Sequence, residues 1–212
     1  MTLIKVCGVT LPDDAAAVAN AGVDFIGFNF WPKSKRYLSP DRAPLLAGVV
    51  RGTGPAKLVG LFVNASADEI SAVCARVELD VIQLHGDETV DDCRRISTAV
   101  YRPVWKALPI SGPNDIEGLD GWPVDAVLLD APSANRGGSG KQFDHTVAQQ
   151  ARARFPNVKV VLAGGLDPGN VAAAIGAVRP WAVDVASGVE AAPGVKDRVK
   201  VAAFVAAVRG GS

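Results

Sequence analysis

Cysteine is scarce in this sequence of 212 residues, and the cysteines that occur are Cys7, Cys74 and Cys93. An odd number of cysteines without a C-x-x-C spacing predicts neither a disulfide framework nor a zinc ribbon. Cys74 and Cys93 fall in helical segments, where we expect them to pack as small apolar side chains. Reduced thiols are typical of the cytoplasm, which is the expected location.

Net charge and long apolar runs are lacking as well. The 22 Lys and Arg residues balance 22 Asp and Glu residues, so no overall field would attract nucleic acid. The longest uninterrupted apolar run, 201–208, is far shorter than the roughly 18 residues that span a bilayer, and no export signal is visible. We therefore expect neither a nucleic-acid partner nor a membrane partner.

Two glycine-rich nucleotide-binding motifs are also missing. No G-x-G-x-x-G opens the first helical segment, which argues against an open doubly wound sheet. The run 137–141 fails as a Walker loop, because no glycine precedes Gly140 by five positions and Gln142 replaces Ser or Thr. We interpret this run as a mobile lid.

What the sequence contains is a regular alternation of strand-like and helix-like segments. Strands are predicted at 3–7, 25–30, 57–63, 81–84, 104–107, 126–130, 159–163 and 182–186. Ala-rich segments with helical periodicity lie between them, for example at 13–21, 67–77, 89–99, 146–154 and 170–178. Eight such units predict a compact (β/α)₈ TIM barrel that forms a single domain over 1–212.

Active sites of such barrels lie at the carboxyl ends of the strands, where Cys7 and Asp130 are predicted. Cys7 has an alternative interpretation as a small buried apolar residue, and Asp130 as a cap of the following loop. Together, however, they would place two proton-transfer groups over one cavity. That combination favours an isomerase that moves a proton.

Strand alternation places Lys5 on the same inward face as Cys7. A buried lysine needs a counter-charge, and Asp184 on the last strand would adjoin it once the barrel closes. We therefore predict a Lys5–Asp184 ion pair. Lys5 would lie about 7 Å from Cys7 along the strand, close enough to favour a thiolate.

Two small-residue motifs end the last two predicted strands. Gly164 and Gly165 follow the seventh strand, and Ser187 and Gly188 follow the eighth. Either pair is compatible with a simple turn, but barrels commonly hold a phosphate in these two loops. We predict a phosphate site there.

The loop after the second strand carries three cations in four residues, ending at Arg36. Solvated basic loops are common, yet a fixed arginine can hold a carboxylate by two hydrogen bonds. His85, with Asp87 and Glu88 nearby, offers only one imidazole, so no metal site is predicted.

The sequence resembles phosphoribosylanthranilate isomerase, an enzyme family of tryptophan biosynthesis, over its whole length. Six ordered motifs carry the resemblance: KVCGVT at 5–10, SKRY at 34–37, QLHG at 83–86, GGSG at 137–140 with Phe143 and Asp144, LAGGL at 162–166, and DVASGVE at 184–190.

The resemblance implies a cofactor-independent and metal-independent aldose–ketose isomerase. The expected reaction is the Amadori rearrangement of N-(5′-phosphoribosyl)anthranilate to 1-(o-carboxyphenylamino)-1-deoxyribulose 5-phosphate, the third step from chorismate to tryptophan. By resemblance, Asp130 is the general acid, Cys7 is the general base and Arg36 holds the anthranilate carboxylate. The remaining substrate-binding residues would be Gly164, Gly165, Asp184, Ser187 and Gly188, with Gln83 and His85 as further candidate contacts.

Two rivals remain open at this point. The related histidine-pathway aminoaldose isomerase performs similar chemistry with two aspartates, and Cys7 argues against it. A non-catalytic barrel that binds a phosphorylated ligand would need neither Cys7 nor Asp130. The sequence is compatible with a monomer or a homodimer.

Overall fold

The computed structural model describes residues 1–131 and 145–210. Eight parallel strands pair in sequence order and close into a barrel, as predicted, because the first strand also pairs with the eighth. The strands are β1 (Leu3–Cys7), β2 (Phe25–Asn29), β3 (Lys57–Phe62), β4 (Val81–Leu84), β5 (Val104–Pro109), β6 (Ala126–Asp130), β7 (Val160–Leu162) and β8 (Ala182–Val185).

Helices cover the outside of the barrel. They are α1 (Pro12–Asn20), α2 (Ala43–Thr53), α3 (Ala67–Cys74), α4 (Val90–Val100), α5 (His145–Arg154), α6 (Val171–Val178) and α7 (Arg198–Gly210). Between β5 and β6, where every residue is described, two short 3₁₀ helices, Pro113–Ile116 and Leu119–Gly121, take the place of an α-helix. The segment there carries two glycines and a proline within ten residues, which disfavours a longer helix.

Several predicted bounds need correction by one or two residues. β2, β3, β7 and β8 are shorter than the apolar runs that predicted them, and β5 is longer. In β5 the pairing with β6 continues to Pro109, which lies opposite Asp130. The apolar run predicts which residues are buried, whereas the pairing partner decides where the ladder ends.

Apolar side chains form two layers. One layer lies between the barrel and its helices and includes Ile4, Ile26 and Phe204. The other fills the barrel interior near the amino ends of the strands, where the rings of Phe25 and Trp105 meet edge to face with centroids 4.9 Å apart. This inner layer closes the lower end of the barrel, so any cavity must open at the carboxyl ends.

The last strand is followed by a segment that folds back over the barrel mouth. A 3₁₀ turn, Ser187–Val189, leads into a two-stranded antiparallel sheet of β9 (Glu190–Ala192) and β10 (Val195–Lys196). Among the described helices, none is long and apolar enough to cross a membrane. The predicted lid at 137–141 lies outside the described residues.

Candidate active site

A cavity of about 750 Å³ opens at the carboxyl ends of the strands. Most of the residues proposed from the sequence line it: Cys7, Arg36, His85, Asp130, Gly164, Gly165, Asp184 and Ser187. Gln83 and Gly188 are not among the described residues of its wall. The parallel barrel brings these residues together because every strand contributes the same end to one rim.

The predicted ion pair of Lys5 and Asp184 is confirmed. The two residues are register partners on β1 and β8, and Lys5 Nζ lies 2.9 Å from each carboxylate oxygen of Asp184. Burial is the largest single influence and lowers the pKa of Lys5, but the charge of Asp184, together with Cys7 and the hydrogen bonds to both side chains, raises the pKa on balance, so the ammonium form persists in the barrel interior. Since Lys5 is fully buried, its positive charge is fixed in place beneath the cavity.

Lys5 lowers the pKa of the Cys7 thiol, as predicted, but its effect is smaller than that of burial. Burial raises the pKa of the Cys7 thiol, and the opposing charge of Lys5 offsets only part of that rise, because Asp184 raises it further. In the ligand-free protein the thiol is therefore harder to ionise than an exposed cysteine. Gly27 leaves the space that the thiol occupies, since a Cβ there would lie 2.8 Å from Cys7 Sγ.

Asp130 ends β6 and is linked to β4 through His85. Nε2 of His85 lies 3.4 Å from Oδ2 of Asp130, and Nδ1 lies 3.0 Å from Nε2 of Gln83. If the amide of Gln83 donates to Nδ1, the proton of His85 sits on Nε2 and faces Asp130. Gln83 is fully buried, so its contact is with His85 rather than with the cavity. That placement assigns Gln83 to the support of the site.

Arg36 lines the cavity, but one edge of its guanidinium is already occupied. Nε donates to Oε1 of Glu190 at 2.8 Å, and one Nη donates to Oε2 at 2.6 Å. The hydrogen bonds that Arg36 donates to Glu190 raise the pKa of the guanidinium and keep it charged. The predicted carboxylate contact must therefore use the opposite edge.

The two small-residue loops lie side by side, as expected for an anion site. Gly164 and Gly165 both adopt left-handed backbone angles, with φ of 86° and 67°, which side chains disfavour. A Cβ at Gly188 would overlap the carbonyl oxygen of Leu166, so Gly188 permits close packing of the two loops. Its place is thus between the loops, whereas Ser187 and the two preceding glycines face the cavity.

Sequence reasoning gave no individual role to three polar residues around the cavity. Asn29 holds the β2 loop through Ser34, with its Nδ2 3.1 Å from the hydroxyl. Glu190 pairs with Arg36, and Lys196 Nζ lies 2.9 Å from Glu190 Oε1. Glu190 belongs to the DVASGVE motif, but Lys196 carries no motif signal, and only the fold-back of β9 and β10 reveals it.

No cluster of three metal-ligating side chains occurs in residues 1–131 and 145–210. Glu88, which the sequence places near His85, instead forms a buried ion pair with Lys106 at 2.9 Å. Its other oxygen accepts from the backbone N–H of Asn64 at 2.8 Å. The acidic neighbours of His85 therefore brace the loop rather than complete a ligand set.

Comparison with known proteins identifies one enzyme family that matches nearly the whole chain. The family model described as N-(5′-phosphoribosyl)anthranilate isomerase matches residues 4–207. An N-(5′-phosphoribosyl)anthranilate isomerase of Geobacter sp. (strain M21) is 45% identical over 210 residues, which cover 97% of each chain.

Solved structures of the same family superpose closely. Monomers of the dimeric phosphoribosylanthranilate isomerase from Thermotoga maritima are 40% identical, cover 99% of this chain and 100% of theirs, and give a TM-score of 0.86. Another phosphoribosyl anthranilate isomerase, solved with reduced 1-(o-carboxyphenylamino)-1-deoxyribulose 5-phosphate, is 38% identical with a TM-score of 0.87 and covers 99% of this chain and all of its own.

Proposed function

The chain belongs to the N-(5′-phosphoribosyl)anthranilate isomerase family, and from this premise we propose how its barrel performs the reaction. It isomerises N-(5′-phosphoribosyl)anthranilate to 1-(o-carboxyphenylamino)-1-deoxyribulose 5-phosphate, a step of tryptophan biosynthesis. The observation that carries the mechanism is one cavity lined by both Cys7 and Asp130. An aldose-to-ketose conversion needs one group that gives a proton and another that takes one.

Asp130 acts first, as general acid. Its carboxyl proton passes to the furanose ring oxygen while the anthranilate nitrogen lone pair forms the C1′=N bond and the C1′–O bond breaks. Because His85 contacts Oδ2, the proton is best placed on Oδ1. The ring thereby opens to a protonated Schiff base.

Cys7 acts second, as general base. The thiolate removes the proton from C2′, and the electron pair of that C–H bond forms the C1′=C2′ bond as nitrogen regains its lone pair. The resulting enolamine tautomerises: the C2′ hydroxyl loses its proton and C1′ gains one, which yields the ketone. The fixed charge of Lys5 favours the thiolate that burial disfavours.

Two anchors place C2′ between the acid and the base. Arg36 holds the anthranilate carboxylate, and backbone N–H groups around Gly164, Gly165 and Ser187 hold the phosphate, with Gly188 keeping the two loops together. Asp184 borders the cavity near Cys7 and completes the substrate-binding set. Fixing both ends of the substrate holds C2′ in a geometry that is close to the one in which it reacts.

We place this activity in a single domain over 1–212, without a cofactor, in the cytoplasm. Three unpaired cysteines support a reducing location. The protein works as a monomer or a homodimer, a range supported by the monomeric and dimeric forms of its Thermotoga maritima relative.

The proposal is tested by generating phosphoribosylanthranilate in solution and following the loss of its fluorescence after adding purified protein. Cys7→Ala and Asp130→Ala are expected to lower kcat by about 10²–10⁴-fold with small changes in binding. Arg36→Ala is expected to raise KM more than it lowers kcat. Lys57→Ala, which removes an exposed lysine outside the lining of the cavity, serves as a control for loss of a cation.

The outcomes separate the rivals. Near-normal turnover by both alanine variants would overturn the acid–base assignment. Binding of the substrate without turnover by the wild-type protein would indicate a non-catalytic barrel, and turnover of only the histidine-pathway aminoaldose would indicate the other isomerase.

A further inference from the structure

We propose that Glu190 is a positioning residue for the carboxylate of the substrate: it holds Arg36 so that one edge of the guanidinium faces the cavity. The inference rests on the proposed function, because it concerns how the anthranilate end is bound. It assigns to Glu190 a role that acts through Arg36 rather than by contact with the reacting atoms.

The geometry of the Arg36–Glu190 pair fixes the plane of the guanidinium. Two parallel hydrogen bonds, of 2.8 and 2.6 Å, join Nε and one Nη to the two carboxylate oxygens. Such a paired contact removes rotation about the last side-chain bonds. The remaining edge, formed by the two Nη groups, keeps two parallel N–H donors for a second carboxylate.

Glu190 is itself held from the other side. Lys196 Nζ donates to Oε1 at 2.9 Å, and the backbone N–H of Gly194 donates to the same oxygen at 3.2 Å. Lys196 also donates to the carbonyl oxygens of Cys7, at 2.6 Å, and Ala186, at 3.2 Å. The carboxylate is thus tied to the ends of β1 and β8.

Arg36 is constrained along its whole length. Its backbone N–H donates to the hydroxyl of Ser34 at 3.1 Å, and its aliphatic stem lies against Gly8. A Cβ at Gly8 would overlap Arg36 Cδ, and the φ of 75° at Gly8 also disfavours a side chain. The stem, the head and the backbone of Arg36 are therefore all fixed before substrate arrives.

The charge balance explains why Glu190 does not simply cancel Arg36. Arg36 contributes one positive charge and Glu190 one negative charge, and Lys196 adds a second positive charge in its ammonium form. Burial lowers the pKa of Lys196, whereas the charge of Glu190 and its hydrogen bond raise it and so favour that form. Burial raises the pKa of Glu190, but hydrogen bonds from Arg36 and the charge of Lys196 lower it by more, so the residue stays ionised. A fixed cationic edge receives a carboxylate with less loss of side-chain entropy than a free arginine.

The experiment measures binding of two ligands by calorimetry. The first is reduced 1-(o-carboxyphenylamino)-1-deoxyribulose 5-phosphate, and the second is the same molecule without its carboxyl group. Glu190→Gln is expected to raise Kd for the first ligand by about 10- to 100-fold, because the amide nitrogen cannot accept from Arg36. Kd for the second ligand should change by less than about 3-fold.

Turnover and a double-mutant cycle test the same inference independently. Glu190→Gln should raise KM for phosphoribosylanthranilate by a factor similar to the rise in Kd, with kcat within a few-fold of wild type. In an Arg36→Ala background the Glu190→Gln change should have no further effect on KM. Glu117→Gln, which alters an exposed partner of Arg154 that does not line the cavity, is the matched control.

A second variant tests the same inference if Glu190→Gln does not fold. Glu190→Gln leaves Lys196 buried beside a neutral group, so Glu190→Gln/Lys196→Met removes both charges and should show the same ligand-selective weakening. Equal weakening of both ligands, an additive cycle, or unchanged Kd in an enzyme that still turns over the substrate would overturn the role of Glu190 alone. Absence of turnover by wild-type protein would instead overturn the proposed function.

Discussion

At the scale of single residues, two opposite influences act on the pKa of the Cys7 thiol. Burial makes its thiol hard to ionise, and the ammonium of Lys5 makes it easier, with burial the stronger of the two. Lys5 is in turn kept charged by Asp184. Three side chains from two neighbouring strands thus set the protonation state of the proposed base.

A pH profile tests this balance. Because the pKa of Cys7 is raised, only a minor fraction is thiolate at neutral pH, so the rate at which iodoacetamide alkylates Cys7, measured on the peptide that carries it, should rise with pH. The midpoint of this ascending limb should lie above about 8.5, where an exposed cysteine ionises. In Lys5→Met/Asp184→Asn the limb should move to still higher pH, since Lys5 lowers the Cys7 pKa more than Asp184 raises it.

The midpoint of the limb, rather than the rate, is the relevant quantity, because Asp184 also lines the cavity. Lys159→Met provides the control, since that lysine lies over the ring of Trp181 outside the cavity. An unmoved limb in the double variant would show that Lys5 does not act on Cys7.

At the scale of secondary-structure elements, three pairs of neighbouring strands are joined at their amino ends by an aspartate. Asp24, Asp80 and Asp125 precede β2, β4 and β6, and each accepts from the backbone N–H of a residue in the preceding strand, at 2.6–2.8 Å. These contacts fix the register of neighbouring strands. The register in turn decides which residues meet at the rim.

Removing one of these contacts should destabilise the protein without affecting the site. Asp125→Ala leaves the buried N–H of Val104 without its 2.8 Å acceptor, and such a loss costs about 1–3 kcal/mol. Urea denaturation of Asp125→Ala should show this decrease in unfolding free energy. The exposed Asp120→Ala, by comparison, should stay within about 0.5 kcal/mol of wild type.

At the scale of the whole molecule, the barrel separates stability from chemistry. The amino ends of the strands enclose an aromatic cluster in which Trp105 packs against Phe25 and Trp181, with centroids 4.9 and 5.5 Å away. The carboxyl ends carry the side chains of the candidate site, among them Cys7, His85 and Asp130. Disruption of one end should therefore leave the other largely intact.

Trp105→Ala tests this separation. Truncating a buried tryptophan should lower the free energy of unfolding by about 3–5 kcal/mol. KM of the folded enzyme should change by less than about 3-fold, because Trp105 does not line the cavity. Chemical denaturation and steady-state kinetics on the same preparation check both parts, and a large change in KM at unchanged stability would contradict the separation.

The sequence by itself determined the barrel, because the alternation of apolar strands and amphipathic helices depends on local periodicity. It also placed Cys7 and Asp130 at strand ends, and it predicted the Lys5–Asp184 pair from inward-facing alternation and closure. These features follow from short-range rules that the residue order contains.

The tertiary structure alone decided the fine organisation of the site. Glu190 reaches Arg36, and Lys196 reaches the carbonyl oxygen of Cys7, only because β9 and β10 fold back over the rim. His85 meets Asp130 across the end of the single intervening strand, β5. The raised pKa of Cys7 likewise depends on how completely its neighbours exclude water. Strand alternation and barrel closure predict the Lys5–Asp184 contact, but these other contacts between residues distant in sequence, and the burial they create, depend on loops and side chains of the assembled barrel that no local pattern describes.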